Sequence, residues 1–247
     1  MTRLFRLVAP ALLLFSAANS CMADNFSFIG TFAYDTDVEI FHFTLANPTA
    51  GVTLRTWSYA GGVDADGNTI PAGGFQPILD VYMADGTQMN PGFAGPCTVP
   101  ATGNALSDLL PDPATGECSD VYYPTSLSFS GGFWSPGDYI VALTEDANQG
   151  IGNLSDGFFA SAVLGLPVPS NFTCQVGPTG FQGTPPTLPV DGAFCDEFSP
   201  GAQRNGNWAL DILNVDSAID VTAPEPNTLF FTLLGVAVLI AGLRLRS

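Results

Sequence analysis

Residues 37–45 alternate between two kinds of surroundings. Val38, Ile40, His42 and Thr44 fall on one side of an extended chain, Glu39, Phe41, Phe43 and Leu45 on the other, and Asn47 with Pro48 ends the run. A period of two marks a strand whose faces differ, and an Asn-Pro pair stops it. The next run repeats the pattern, with Val52, Leu54, Thr56 and Ser58 set against Thr53, Arg55, Trp57 and Tyr59. Phe26, Phe28, Thr31 and Phe32 outline an earlier strand. Residues 78–83 form a compact apolar run closed by the turn residues Ala84, Asp85 and Gly86. Residues 126–130, 138–144, 171–176 and 207–215 read as further strands, the second of them entered through Pro136 and Gly137. No stretch between the chain ends carries convincing helical spacing. Short strands separated by Gly and Pro turns predict an all-β fold, a β-sandwich of jelly-roll type with long Gly/Pro-rich loops. The roughly 200 residues between the ends suffice for one such core.

The two ends break this period. Arg3 and Arg6 precede the apolar residues 7–15, and small residues follow at Ser16, Ala17, Ala18, Ser20 and Ala23. A charged start, a short apolar core and a small-residue cleavage region make residues 1–23 a secretory signal peptide, helical in its apolar part. Cleavage fits after Ser20 or after Ala23, and Cys21 admits a lipoprotein alternative. At the other end a mostly apolar run extends from Leu229 to Leu243, followed by Arg244 and Arg246. The expected transmembrane helix covers residues 228–243. At ~1.5 Å per residue, residues 229–243 reach about 23 Å against a hydrocarbon core of about 30 Å. Thr228 and the aliphatic stems of the two arginines must therefore extend the reach. Residues 24–222 form the single extracytoplasmic domain.

Charge changes the picture of what this domain meets. The 247-residue chain has a net charge of −17 and no lysine. Arg3, Arg6, Arg244 and Arg246 lie at the ends. Residues 24–222 hold 22 acidic residues against Arg55 and Arg204, so 22 minus 2 leaves this region near −20. Basic flanks stay on the cytoplasmic side of a span, which puts the acidic middle outside. Such a surface repels phosphates, and nucleic acid is excluded as a partner. It attracts divalent cations, although keeping an exported protein soluble is the plainer account of it.

The order of features at the C-terminus is specific. Pro224, Glu225 and Pro226 come just before the apolar run, and Arg244 and Arg246 close the chain. This order strongly resembles the PEP-CTERM sorting signal of exopolysaccharide-producing Gram-negative bacteria. The resemblance implies that an exosortase-type membrane protease recognises Pro224, Glu225 and Pro226 and cuts nearby, releasing or transferring the ectodomain. It makes residues 223–247 a sorting signal with a transient membrane anchor, and it directs the protein to the cell surface or the exopolysaccharide matrix. Proline blocks helix upstream of the span and keeps the motif readable as an extended peptide. Ala223 stands where valine is commoner in the family. Segments 28–32, 37–41, 53–62, 73–79, 137–143, 153–157 and 207–213 resemble an exported family that often carries such tails and has a Phe-Asp-Pro-type motif. Its strand pattern is similar to bacterial pre-peptidase C-terminal domains. Here Gln76 stands between Phe75 and Pro77, and residues 90–95 replace the acidic loop that often follows. Related sandwich domains bind calcium through such carboxylates, so both departures weigh against calcium. The likeness implies fold and location, not a reaction.

Export also sets the cysteine chemistry. Cys97, Cys118, Cys174 and Cys195 remain once the signal peptide is removed, and an oxidising compartment favours pairing. Of the three connectivities, Cys97–Cys118 with Cys174–Cys195 is preferred, because each pair brackets a loop rich in Pro, Gly and Asp. Each closure would stabilise by about 3 kcal/mol. Zinc is disfavoured, since no two of these cysteines are close in sequence and His42 is the only histidine.

Candidate chemistry is sparse. Asp64, Asp66 and Asn68 with Gly67 resemble the start of a calcium loop, but no acid follows before Asp80 to supply a bidentate ligand. A turn stabilised by Asx side chains explains these residues as well, and calcium is the one candidate cofactor. Glu145 with Asp146, and Asp196 with Glu197, are the carboxylates that a glycoside hydrolase would need to set face to face. No Gly-x-Ser-x-Gly is present, and any Ser-His-Asp triad would have to recruit His42. Trp57, Tyr59 and Trp134 could line a glycan platform, although strand aromatics are more often core. The expectation is a non-catalytic exported protein of the cell surface or exopolysaccharide matrix. A carbohydrate-binding module is the alternative, and a carboxylate-based hydrolase stands behind it.

Overall fold

A computed structural model of the chain describes residues 23–46, 51–90, 120–123, 134–146, 148–175, 193–195 and 203–221. The first phenylalanines lie on β1 (Asp24–Thr31). The second alternating run becomes β2 (Glu39–Leu45), with Phe41, Phe43 and Leu45 buried and His42 exposed. Next come β3 (Thr53–Thr56), the hairpin β4 (Gly62–Val63) and β5 (Thr69–Ile70), then β6 (Pro77–Met83) and β7 (Gln88–Asn90). β8 (Tyr122–Tyr123), β9 (Gly137–Glu145), β10 (Asn207–Val215) and β11 (Ser217–Asp220) are the other strands among the described residues. Helix among the described residues is confined to a single turn, α1 (Phe159–Ala162), and 3-10 turns at Leu154–Asp156 and Thr173–Gln175. The fold is all-β, as the alternation predicts. Among the described residues, no helix is long and apolar enough to cross a membrane. The expected signal helix, the span at 228–243, the strand at 126–130 and the pair Cys97–Cys118 lie outside the described residues.

The strands form two larger antiparallel sheets, ordered β1-β10-β3-β8 and β11-β2-β9-β6-β7, beside the β4–β5 hairpin. One apolar cluster lies between them. Leu54, Trp208, Leu210 and Ile212 enter it from the first sheet, and Phe41, Phe43, Leu79, Val81, Val141 and Leu143 from the second. Each such side chain contributes about 1.5–3 kcal/mol on burial. At one end Phe75 stacks between Phe32 and Phe194, with ring centroids 5.0 and 5.6 Å away. Gly30 faces Trp208 across the β1–β10 ladder, and the indole occupies the space a Cβ would need. Both outer faces are also partly covered. The β4–β5 hairpin packs on Trp57 and Ala209 through Ile70, and the segment 148–160 covers Tyr82, Ile140 and Ala142 through Leu154 and Phe158.

Two parts of the chain depart from the alternation. β10 ends at Val215 and β11 starts at Ser217, so the chain crosses from one sheet to the other around Asp216 alone. Asn214 has φ 63°, a left-handed conformation that Asn tolerates. The Asp216 N–H donates to the Thr44 carbonyl at 2.8 Å, and its carboxylate accepts the Ala46 N–H. A corner this tight leaves no Gly or Pro signature, which is why periodicity alone ends the strand at 215. Residues 171–176, expected as a strand, instead hold the 3-10 turn Thr173–Gln175. The cause is a buried carboxylate.

Candidate functional site

That carboxylate is Asp35, which is 0 % exposed. It accepts the N–H groups of Phe172 (2.9 Å), Thr173 (2.8 Å) and Phe194 (2.7 Å) and the Thr173 hydroxyl (2.7 Å). Backbone donors committed to a side chain are not available to a ladder. The Thr173 hydroxyl in turn accepts the Cys195 N–H at 2.9 Å. Cys174 and Cys195 form a disulfide with their Cα atoms 4.9 Å apart, the pairing preferred from the sequence.

Three other buried acids work the same way. Asp120 accepts the N–H groups of Ser58 (2.6 Å), Tyr59 (3.0 Å) and Ala60 (2.8 Å) and the Thr56 hydroxyl (3.2 Å). Burial pushes its carboxyl above the usual range, against the downward pull of these donors. Asp211 accepts the Ser27 hydroxyl (2.6 Å), Trp57 Nε1–H (2.7 Å) and Ala65 N–H (3.1 Å), fastening the hairpin to the outer face of the first sheet. Asp80 accepts the Gly150 N–H at 2.7 Å and so holds the 148–160 segment down. Burial, reinforced by the Asp80 charge, pushes the adjacent Tyr82 phenol up. Sequence reasoning missed all four, because a single Asp within a large acidic surplus carries no motif. Their only signal was that Asp80 and Asp211 interrupt apolar runs.

The calcium candidates are engaged with one another. Asp64 accepts Asn68 N–H at 2.7 Å and Asn68 Nδ2–H at 2.9 Å, closing the β4–β5 turn, while Asp66 is exposed. This is the Asx geometry that competes with a metal loop. Among the described residues, no group of three or more His, Cys, Asp and Glu side chains is placed to hold a metal ion. Asp64→Ala removes two hydrogen bonds of about 1 kcal/mol each and is expected to lower the melting midpoint by about 4–8 °C. The loss should be equal in millimolar CaCl₂ and in EDTA. A calcium-dependent rise of the midpoint that Asp64→Ala abolishes would contradict this account.

The glycan platform requires correction. Trp57 is 3 % exposed, with the Arg55 guanidinium 3.6 Å from its ring centroid, and Trp134 is 4 % exposed. Trp134 packs edge-on to Phe43 and Tyr139 in the inter-sheet core, in a different cluster from Trp57. Tyr59 is partly exposed with Arg204 over its ring at 3.4 Å. Two of the three rings are therefore withdrawn from the surface, because the large apolar area of indole is taken up by packing.

The remaining chemistry is also dispersed. Glu145, the last residue of β9, is buried, and Asp146, in the turn that follows, is half-buried. Asp196 and Glu197 lie outside the described residues. His42 lines a groove of about 320 Å³ on the outer face of the second sheet, together with Thr44, Asp138, Ile140, Ser217 and Ile219. The Thr44 hydroxyl donates to Asp138 at 2.6 Å. Ser217 and Asp138 both sit opposite Thr44, whereas the cross-strand neighbours of His42 are Ile219 and Ile140. This register sets imidazole between two aliphatic side chains rather than between a nucleophile and an orienting carboxylate. The sorting residues Pro224, Glu225 and Pro226 and the basic Arg244 and Arg246 lie outside the described residues. No family model, curated protein or solved structure matches this chain.

Proposed function

We propose that this chain is an exported, non-catalytic protein of the cell surface or exopolysaccharide matrix, sorted by its C-terminal segment. The order Pro224, Glu225, Pro226, apolar residues 228–243, Arg244 and Arg246 carries the reading. An exosortase-type protease is the partner that reads the motif, and the apolar segment holds the protein in the membrane until it is cut. The two-sheet frame is taken as a jelly-roll-type sandwich spanning residues 24–222. Two features support export. The Cys174–Cys195 disulfide suits an oxidising compartment, and the acidic domain is flanked at both ends by arginines, the order that positive flanks on the inner side require. No cofactor forms part of the proposal. Carbohydrate binding through Trp57 and Trp134 gains no support from two buried indoles.

The proposal is tested by intact-mass analysis of the chain co-produced with an exosortase-type protease. The expected product lacks the N-terminal signal, ends near Pro226 and retains the disulfide. Glu225→Ala should leave the C-terminus uncut. Full-length, reduced protein recovered from the cytosol would overturn the reading.

A further inference from the structure

Residues 162–169 contain only Ala, Val, Leu, Gly and Pro, and no acidic or basic residue occurs between Asp156 and Asp191. In a chain of net charge −17 this interval stands apart. Leu164 and Leu166 are half-buried, but Val163 is 55 % and Val168 61 % exposed. Tyr34, on the turn to which this loop is fastened, is 40 % exposed. The fastening begins at Ser170, directly after the loop. Ser170 N–H donates to Thr36 Oγ1 at 2.8 Å, and Thr36 N–H donates to the Ser170 carbonyl at 3.2 Å. Asp35 N–H adds a bond to Asn171 Oδ1 at 3.2 Å.

The chain leaves the domain at this same end. Val221 N–H donates to the Ile40 carbonyl at 2.9 Å, beside the start of β2 and four residues from Thr36. We propose that residues 162–169 rest on the bilayer surface next to the C-terminal segment, giving the tethered protein a second apolar contact with the membrane. This rests on the reading of residues 228–243 as a span. Only residues 222–227 separate Val221 from that span, a reach of at most about 25 Å when fully extended. The headgroup layer takes up roughly 5–8 Å of it. The exit end of the domain therefore stays within about 20 Å of the headgroups, and the loop lies at that end. Charge selects the leaflet. The acidic domain is repelled by anionic headgroups, whereas an uncharged loop loses nothing beside neutral ones. Apolar interfacial segments settle about 5–10 Å into the headgroup boundary, a depth that side chains on an exposed loop can reach.

The test uses the full chain reconstituted into phosphatidylcholine vesicles whose acyl chains carry bromine. The native indoles of Trp57, Trp134 and Trp208 are buried, so an added surface indole reports selectively. Val168→Trp places one on the loop. Met83→Trp places one at the far end of the second sheet, where Met83 is exposed and pairs with Tyr139, itself opposite Phe43 towards the end of β2. Emission added by Val168→Trp should fall by about half in brominated vesicles relative to unbrominated ones, and that of Met83→Trp should not change. Equal quenching of both, or of neither, would overturn the contact. So would a blue shift of Val168→Trp that grows with protein concentration in lipid-free detergent, because the loop would then meet a second copy of the chain. Flotation of the unsubstituted chain with the vesicles, compared with a chain ending at residue 221, reads the span separately. Flotation without quenching leaves the span standing and removes only the loop contact; failure to float removes both.

Discussion

Asp35→Ala is expected to destabilise the domain by about 3–5 kcal/mol, measured as a lower denaturant midpoint with an unchanged slope. The substitution leaves three N–H donors and one hydroxyl without their acceptor at a position with no solvent exposure. Each buried donor left unsatisfied costs about 1–3 kcal/mol, and the sum is capped once the opened site admits water. Asp35→Asn tests the same contact more finely. Its amide keeps one oxygen but turns an NH₂ toward donors that need an acceptor, so it should recover less than half of the loss. Since Phe172, Thr173 and Phe194 come from two separate segments, both should become more accessible to protease in either variant. A midpoint equal to that of the parent chain would show that the Asp35 bonds hold nothing together.

The second large effect concerns the disulfide between the same two segments. Cys174 and Cys195 are 21 residues apart, and opening a loop of that size costs about 3 kcal/mol through the freed unfolded chain. Replacing both by serine should lower the midpoint accordingly, and reductant should do the same to the parent chain while leaving the serine variant unmoved. The two predictions are linked through Thr173, whose hydroxyl donates to Asp35 and accepts the Cys195 N–H. Combining Asp35→Ala with the serine pair should therefore cost less than the sum, by on the order of 1 kcal/mol. Strict additivity in that double-mutant cycle would mean that the carboxylate and the disulfide act on independent parts of the fold.

These residues also mark where the sequence was legible and where it was not. Alternation located β2 to within two residues and assigned Phe41, Phe43 and Leu45 to one side and His42 to the other, because burial on one face of a strand imposes the period directly. It failed for residues 171–176, where a distant carboxylate captures the backbone donors, and for β11, where a single Asp turns the corner. Both causes are contacts between residues far apart in the chain, and local pattern holds no trace of them. The disulfide was legible because cysteine chemistry narrows the choices to a few pairings. The proposed glycan platform was misplaced because an alternating pattern cannot tell which face of a strand a hairpin will later cover, as β4–β5 covers Trp57.

The corner at Asp216 has a mechanical consequence. If the proposed C-terminal tether bears load, that load enters the domain at Val221, and the first bond it meets is the one to Ile40. β11 pairs with β2 alone, so a load directed across the strands draws it off its neighbour one rung at a time, like a zipper opened from its end. The unzipping reaches the turn around Asp216 after four residues, and the remaining chain belongs to β10, which has a partner on either side. Under such tension the short edge strand would act as a fuse, giving way while withdrawing only Ala218 from the central hydrophobic cluster.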